Sequence, residues 1–246
     1  APPATASADG PSEAGEIDEA GKGGKGKDKS SAEYQRTSWQ ALEKGFVGHL
    51  NGVRAATLAD TIPDLFRLNL VRGRGLFTKA AMDVQGKQQG KTAVIAALVG
   101  VINTKLPEIG ELLVHRLVLR FRYGFKRNAK YHLYTATKLL AHLVNQHVVH
   151  ELLALQIMAM LLEKPTADSV SVAVAFMKEV GASLSELSPQ GVHVLFDRFR
   201  TILHEARVAR RALDAIEDLM AVRKRNFARF PAVPKGLDLV EADDQI

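Results

Sequence analysis

TAVIAALVGVINTKLPEIGELLVHRLVLRFRYGFKRN, residues Thr92–Asn128, decides the fold class. It reads as one helix over about Thr92–Lys105 that stops before Pro107. A second starts near Glu108 and runs to about Lys126, with Asn128 as its natural stop. Proline cannot continue a helix from the preceding turn, and asparagine tolerates the left-handed conformation that ends one. The apolar run Ala93–Ile102 is too short for a membrane span, which needs about 18 residues or more.

The same pattern continues in both directions. Upstream, Trp39, Leu42, Phe46, Val47 and Leu50 fall on one helical face, and Asn51-Gly52 is expected to end that helix with a left-handed cap. Thr57-Leu58-Ala59-Asp60 resembles a capping box and opens a second helix, which Pro63 should kink or delay. Gly73 and Gly75 are expected to break the chain before a third helix ending near Val84, followed by a polar loop over Gly86–Lys91. Downstream, helices are expected over about Ala129–Gln146 and Val149–Glu163. Thr166 then caps a helix that Gly181 ends, Ser188-Pro189 starts the next to about Glu205, and a tenth covers about Val208–Arg225. No strand pattern competes. Ten helices with short turns predict an all-α fold, arranged as a HEAT-like solenoid of about five antiparallel helix pairs with a period near 40 residues.

The ends differ from this body. Residues 1–33 contain Ile17 as their one large apolar side chain and finish in GKGGKGKDKSS before Ala32 and Glu33. Such a segment cannot offset its ordering entropy, so a disordered tail is expected, and the lack of an apolar stretch argues against a signal peptide. The chain starts with Ala rather than Met, as a fragment or processed chain does. Residues 236–246 form an acidic extension after the helical domain of residues 34–235. That domain holds 29 basic against 16 acidic residues, so its natural neighbours are nucleic acid or an acidic protein surface, with solvated helix faces as the alternative. The absence of cysteine rules out disulfides and thiolate chemistry, as suits a reducing compartment.

Candidate chemistry is sparse. GKQQGKT, Gly86–Thr92, has only three residues between its glycines and a helix rather than a strand before it, so it reads as a polar loop and not as a phosphate-binding loop. His142, His147 and His150, with Glu151, lack metal-ligand spacing and read as turn caps and surface hydrogen-bonding groups. Leu152, Leu155, Met158, Leu161 and Leu162 read as a core stripe. One basic cluster runs through Arg116, Arg120, Arg122, Lys126, Arg127 and Lys130, interleaved with Phe121, Tyr123 and Phe125. A second spans Arg207–Arg229. Arg122, Lys126 and Arg127 are the candidate RNA contacts, because clustered cations neutralise phosphates. A half-buried helix would show the same interleaving. Nothing points to a catalytic residue, a metal site or a cofactor.

Several segments occur in a fixed order that goes further: YQRTSWQALEK (Tyr34–Lys44), LVRGRGLF (Leu70–Phe77), INTKLPEIGELLVHRL (Ile102–Leu117), FRYGFKRN (Phe121–Asn128), AHLVNQHVVHE (Ala141–Glu151), LLEKPTADSVSVAVAFMKEVG (Leu161–Gly181), ILHE (Ile202–Glu205), AVRKRNF (Ala221–Phe227) and GLDLVEADDQ (Gly236–Gln245). Together they resemble the CWC-twenty-two family of nuclear pre-mRNA splicing factors. The domain concerned is of the type first described in the middle of translation initiation factor 4G. The resemblance covers residues 34–246. It implies a HEAT-like stack of five helix pairs that works in the nucleus with other spliceosomal proteins and pre-mRNA or snRNA. It also implies that the domain binds the DEAD-box helicase of the exon junction complex, keeps its two RecA lobes apart until deposition on spliced RNA, and continues into a second helical domain. Family interface residues in the first helix-to-helix turn match at Gly48 and Asn51. Gly52 stands where the family commonly has lysine, which removes one charge contact. An RNA-binding adaptor that uses the basic helices is the alternative.

Overall fold

A computed structural model describes residues 31–245, and among these there are ten α-helices and no strand. They are α1 (Ala32–Gly52), α2 (Leu58–Arg67), α3 (Leu70–Lys87), α4 (Thr92–Lys105), α5 (Pro107–Arg127), α6 (Lys130–Asn145), α7 (Glu151–Glu163), α8 (Ala167–Leu187), α9 (Pro189–Glu205) and α10 (Arg210–Lys224). The fold is all-α. Helices pack on near neighbours in sequence: α1 on α3, α3 on α5, α5 on α6, α6 on α8 and α8 on α10. The tail expected over residues 1–33 falls outside the described residues except for its last three. There Ser31 Oγ caps α1 by accepting from the Tyr34 N–H, and Ala32 and Glu33 already belong to the helix.

Local signals set several boundaries as expected. Pro107 occupies the first turn of α5, and Asn128 ends that helix in the left-handed region (φ 51°), with its N–H on Gly124 and Phe125 carbonyls. Thr166 Oγ1 accepts from Ser169 N–H while Ser169 Oγ accepts from Thr166 N–H, a reciprocal cap at the start of α8. Other boundaries depart. Asn51 and Gly52 do not form a left-handed cap; both are helical, and α1 ends at Val53 in extended backbone. Thr57 does not cap α2 with its side chain; it accepts instead from the Arg54 N–H and closes a short 3-10 turn. Pro63 lies inside α2.

The largest correction concerns glycine. Gly73 and Gly75 lie within α3, and Gly181 lies within α8, which continues to Leu187. A Cβ at Gly73 would stand 2.5 Å from Phe46 Cε2 and 2.8 Å from Leu42 Cδ2, so its absence allows α1 and α3 to touch. At Gly181 the space is taken by the Phe227 ring, 2.3 Å from a Cβ. Tertiary packing has overridden a local breaker at both sites.

α6 lies at the centre, buried along most of its length from Leu133 to Asn145. Its crossing with α5 is close, since a Cβ at Gly124 would meet the Leu133 backbone nitrogen at 2.9 Å. Of the stripe on α7, Met158, Leu161 and Leu162 are core, whereas Leu152 is 57% exposed and Leu155 half-buried, so the stripe is core only in its second half. The acidic C-terminal stretch is anchored at Leu237, with Val240 half-buried near Gly100. Leu237 is buried and its carbonyl accepts from Gln146 Nε2 at 3.1 Å.

Two glycine substitutions should separate packing from propensity. Gly73→Ala should destabilise the chain by about 1–3 kcal/mol through overpacking against Phe46 and Leu42. Gly48→Ala, where a Cβ meets no atom within 4 Å, should stabilise it by about 0.5–1 kcal/mol, because alanine is the better helix former. Urea unfolding of both variants measures this, and similar effects at the two positions would contradict the packing account.

Candidate partner-binding surface

The C-terminal turn of α1 carries the first set of candidate residues. Gly48, Asn51 and Gly52 are all exposed, and a Cβ at either glycine would meet nothing within 4 Å. They sit on the last turns of the helix, not in the connection after it, because α1 runs through Gly52. Gly48 and Asn51 are three residues apart and therefore share a face. Asn51 is also tied to the segment that joins α3 to α4. Its Oδ1 accepts from Gln88 Nε2 at 3.0 Å, and its backbone carbonyl accepts from the Lys91 ammonium. This leaves the Asn51 amide N–H groups facing outward without a partner among the described residues.

The GKQQGKT segment thus has a structural task that spacing alone did not show. Gly86 and Lys87 close α3, Gln89–Lys91 forms a 3-10 turn and Thr92 opens α4, so both flanks are helical. Gln85 Nε2 donates to Thr92 Oγ1 at 3.2 Å across the turn, and Gln88 and Lys91 hold the end of α1. The arrangement lacks the strand that a phosphate-binding loop springs from.

The second set lies at the far end of α5. Ile109, Leu113, Leu117, Phe121 and Gly124 form the buried stripe of that helix, which turns Arg122, Lys126 and Arg127 outward. These three cations make no hydrogen bond or ion pair with the described residues. Leu119, Tyr123, Phe125 and, at the start of α6, Tyr131 are exposed around them. Cations in the last turn are favoured by the helix dipole, which is sufficient structural reason for Lys126 and Arg127.

Much of the rest of the two basic clusters is occupied internally, whereas the exposed Arg207, Lys224 and Arg225 make no hydrogen bond or ion pair with the described residues. Arg116 donates to the Gly75 carbonyl at 2.6 Å and to Thr78 Oγ1 at 2.7 Å, fastening α5 to α3. Arg120 pairs with Asp83 at 3.6 Å. Asp168 takes both Lys130 and Arg211 at 3.0 Å, and Arg210 pairs with Asp214 at 2.8 Å. Arg223 lies over the Phe196 ring at 4.2 Å, and burial lowers its pKa from the ordinary value, helped by the charge of Arg200. A charge census could not separate these fastening cations from free ones, because the difference lies in long-range partners.

Among the described residues no group of three or more His, Cys, Asp or Glu side chains could hold a metal ion. His142 Nε2 lies 3.3 Å from Glu179. Its hydrogen bond holds that carboxyl below the ordinary carboxylate range, against the opposing effect of burial. His150 Nδ1 accepts from the Leu152 N–H and so caps α7. His147 adopts a positive φ of 56° in the turn before it.

Fold and surface together describe an all-α protein whose candidate residues sit on exposed helix ends. Comparison with known proteins makes the assignment more specific. The chain is 47% identical over 218 residues to the pre-mRNA-splicing factor CWC22 homologs of Danio rerio and Homo sapiens, and 51% identical over 219 residues to pre-mRNA-splicing factor CWC22 of Pyricularia oryzae. In each case 89% of this chain is covered, and the chain spans about a quarter of the length of these curated relatives. No protein-family model matches it. The chain is homologous to one part of these splicing factors, as its motifs implied.

Internal and free cations should respond differently to mutation. Arg116→Ala should cost about 1.5–3 kcal/mol, because it leaves Gly75 O and Thr78 Oγ1 without their charged donor. Glu in place of Arg122 should change stability by no more than about 0.5 kcal/mol, and in place of Lys126 or Arg127, at the negative end of the helix dipole, by about 1 kcal/mol at most. Thermal melts of the four single variants test the division, which equal losses would overturn.

Proposed function

We propose that this chain is a scaffold domain of the pre-mRNA splicing machinery in the nucleus. It binds the DEAD-box helicase of the exon junction complex, holds it in an open, inactive state and delivers it for assembly on spliced RNA. Homology to the splicing factor CWC22 supports the splicing role, and the helicase partner rests on the resemblance through Gly48 and Asn51. The observation that carries the site is the end of α1, open at Gly48 and Gly52 and braced at Asn51 by Gln88 and Lys91. A glycine with free space around it admits close approach of a partner backbone. An amide whose acceptor is already engaged presents its donors in a fixed direction. Gly52 leaves out the lysine common in the family, and the Lys91 ammonium at the Asn51 carbonyl brings a positive charge to the same place.

One helicase lobe would dock here and the other on a separate surface. An ATP site built between two lobes forms only when they close, so holding them apart shifts the population toward the inactive state. No catalytic residue of this chain takes part. Gly48→Leu and Asn51→Asp should each weaken helicase binding by about 1–3 kcal/mol while leaving the fold intact, since both sites are exposed. Helicase ATPase in the presence of RNA, titrated with wild-type and variant chains, is the test. Undiminished ATPase at saturating wild-type chain would refute the locked state, and equal binding by both variants would move the interface elsewhere.

The exposed, unpaired Arg122, Lys126 and Arg127 among Tyr123, Phe125 and Tyr131 favour a second reading, direct contact with RNA. Affinity for single-stranded RNA should then fall steeply as salt rises and should drop further in the triple Glu variant. Binding that ignores salt, or that survives the triple substitution, would leave this surface without an RNA role.

A further inference from the structure

A cavity of about 860 Å³ opens between the start of α5 and the turn that leads into α7. It lies some twelve residues along α4 from the Asn51–Lys91 contact, roughly 18 Å at the helical rise, and is thus separate from the surface at the end of α1. Its apolar walls come from Val114 and Val118 on α5, Val148 and Val149 in the turn, and Leu153 on α7. Asn103, near the end of α4, also lines it. That side chain is only 8% exposed, yet it makes no hydrogen bond with any described residue. Gly110 leaves room for it, since a Cβ there would stand 2.0 Å from Asn103 Oδ1.

The amide is bonded to no described residue, and its polar atoms open onto the groove rather than lying sealed in the core. Every other buried Asn or Gln side chain described in this protein is bonded: Gln85 to Thr92, Asn145 to the Glu179 carbonyl and Ser183, and Gln146 to the Leu237 carbonyl. The Asn103 amide is thus free within the chain to meet a ligand that brings both a donor and an acceptor. The N–H and C=O of one residue in an extended peptide match it. The rim adds a charge preference. Glu108 and Glu111 line the cavity without an ion pair among the described residues, against one unpaired guanidinium, Arg74. Their carboxylates make the rim locally acidic in a domain that is basic elsewhere.

We infer that this groove binds an extended peptide segment of a protein partner. Asn103 pairs with the peptide main chain, the valine-lined floor takes an apolar side chain, and Glu108 and Glu111 take a neighbouring lysine or arginine. Side chains alternate in an extended peptide, so adjacent residues reach the floor and the rim separately.

A random linear-peptide display selection on the whole chain tests this, with the enriched peptides then synthesised and titrated by fluorescence anisotropy. Enriched sequences should pair an apolar residue with a nearby Lys or Arg. Their affinity should fall about tenfold or more in Asn103→Ala and in Glu111→Lys, and should be unchanged in Asn51→Asp. Thermal melts keep the test clear of misfolding. Glu111 is exposed, and Asn103→Ala removes no bond, so both variants should melt like wild type. Failure to enrich, enrichment of acidic peptides, or binding that Asn103→Ala leaves intact would each overturn the proposal. So would an Asn103-dependent dimer seen by sedimentation, which would give the groove to a second copy. Peptide binding that appears only after residues 1–30 are deleted would give it to the chain's own N-terminal stretch.

Discussion

A helix enclosed on nearly all sides must satisfy the polar side chains of its enclosed stretch, and α6 imposes that constraint on the whole protein. From Leu133 to Asn145 it is enclosed by α4, α5 and α8. Thr135 and Thr137 turn their hydroxyls back onto carbonyls of their own helix, to Tyr131 and Leu133. Asn145 donates to the Glu179 carbonyl at 2.9 Å and accepts from Ser183 Oγ at 2.8 Å, which fixes the register of α6 against α8. Just past the helix, Gln146 reaches the Leu237 carbonyl and draws the C-terminal stretch back onto the core. Hydrophobic burial drives these helices together without specifying direction. The paired polar groups select one arrangement, because any slip would strand them.

Close approach is the second half of the same design. Gly73 brings α1 onto α3, Gly124 brings α5 onto α6, and Gly181 admits the Phe227 ring against α8. Arg116 then reaches from α5 to α3, to a carbonyl that Gly75 exposes. Placement of the end of α1 follows from this chain of contacts. α3 positions α1, and the turn between α3 and α4 reaches back through Gln88 and Lys91 to hold Asn51. Exposed residues on that turn are thus presented by a braced element, which limits the conformational entropy lost when a partner binds.

Helix type and number were legible because their signals are local. Pro107, Asn128, Thr166 and Pro189 mark boundaries by the geometry of one or two residues, and α4 and α9 match the limits expected from sequence. The glycines at 73, 75 and 181 were not legible, since the Phe46 and Phe227 rings and the Arg116 guanidinium that explain them lie tens of residues away. Leu152 fits the apolar spacing of α7 but falls beyond the edge of the core. The site residues show the same division. Exposure of Gly48, Asn51 and Gly52 at the end of a helix follows from their place in the sequence, whereas the bond from Gln88 to Asn51 does not. The basic clusters could be counted, but their separation into fasteners and free cations needed the positions of Gly75, Asp83 and Asp168.

That separation bears on how such a helical fold tolerates change. Exchanging a cation that fastens helices costs stability, Arg116 most, so variation in binding charge is cheapest at positions such as Arg122, Lys126 and Arg127, which no described residue needs. The polar groups follow the same logic. Arg223 leaves Nη1 buried without an acceptor, but its guanidinium lies on the Phe196 ring, which offsets part of the cost. His132 leaves Nδ1 unpaired, yet its ring packs edge-on against Tyr123 and Tyr131. Asn103 differs from both: it packs on Gly110, and its amide, bonded to no described residue, opens onto the cavity. The other buried Asn and Gln side chains spend their bonds holding helices and the C-terminal stretch in place, and Asn103 alone among them leaves its amide free of the fold.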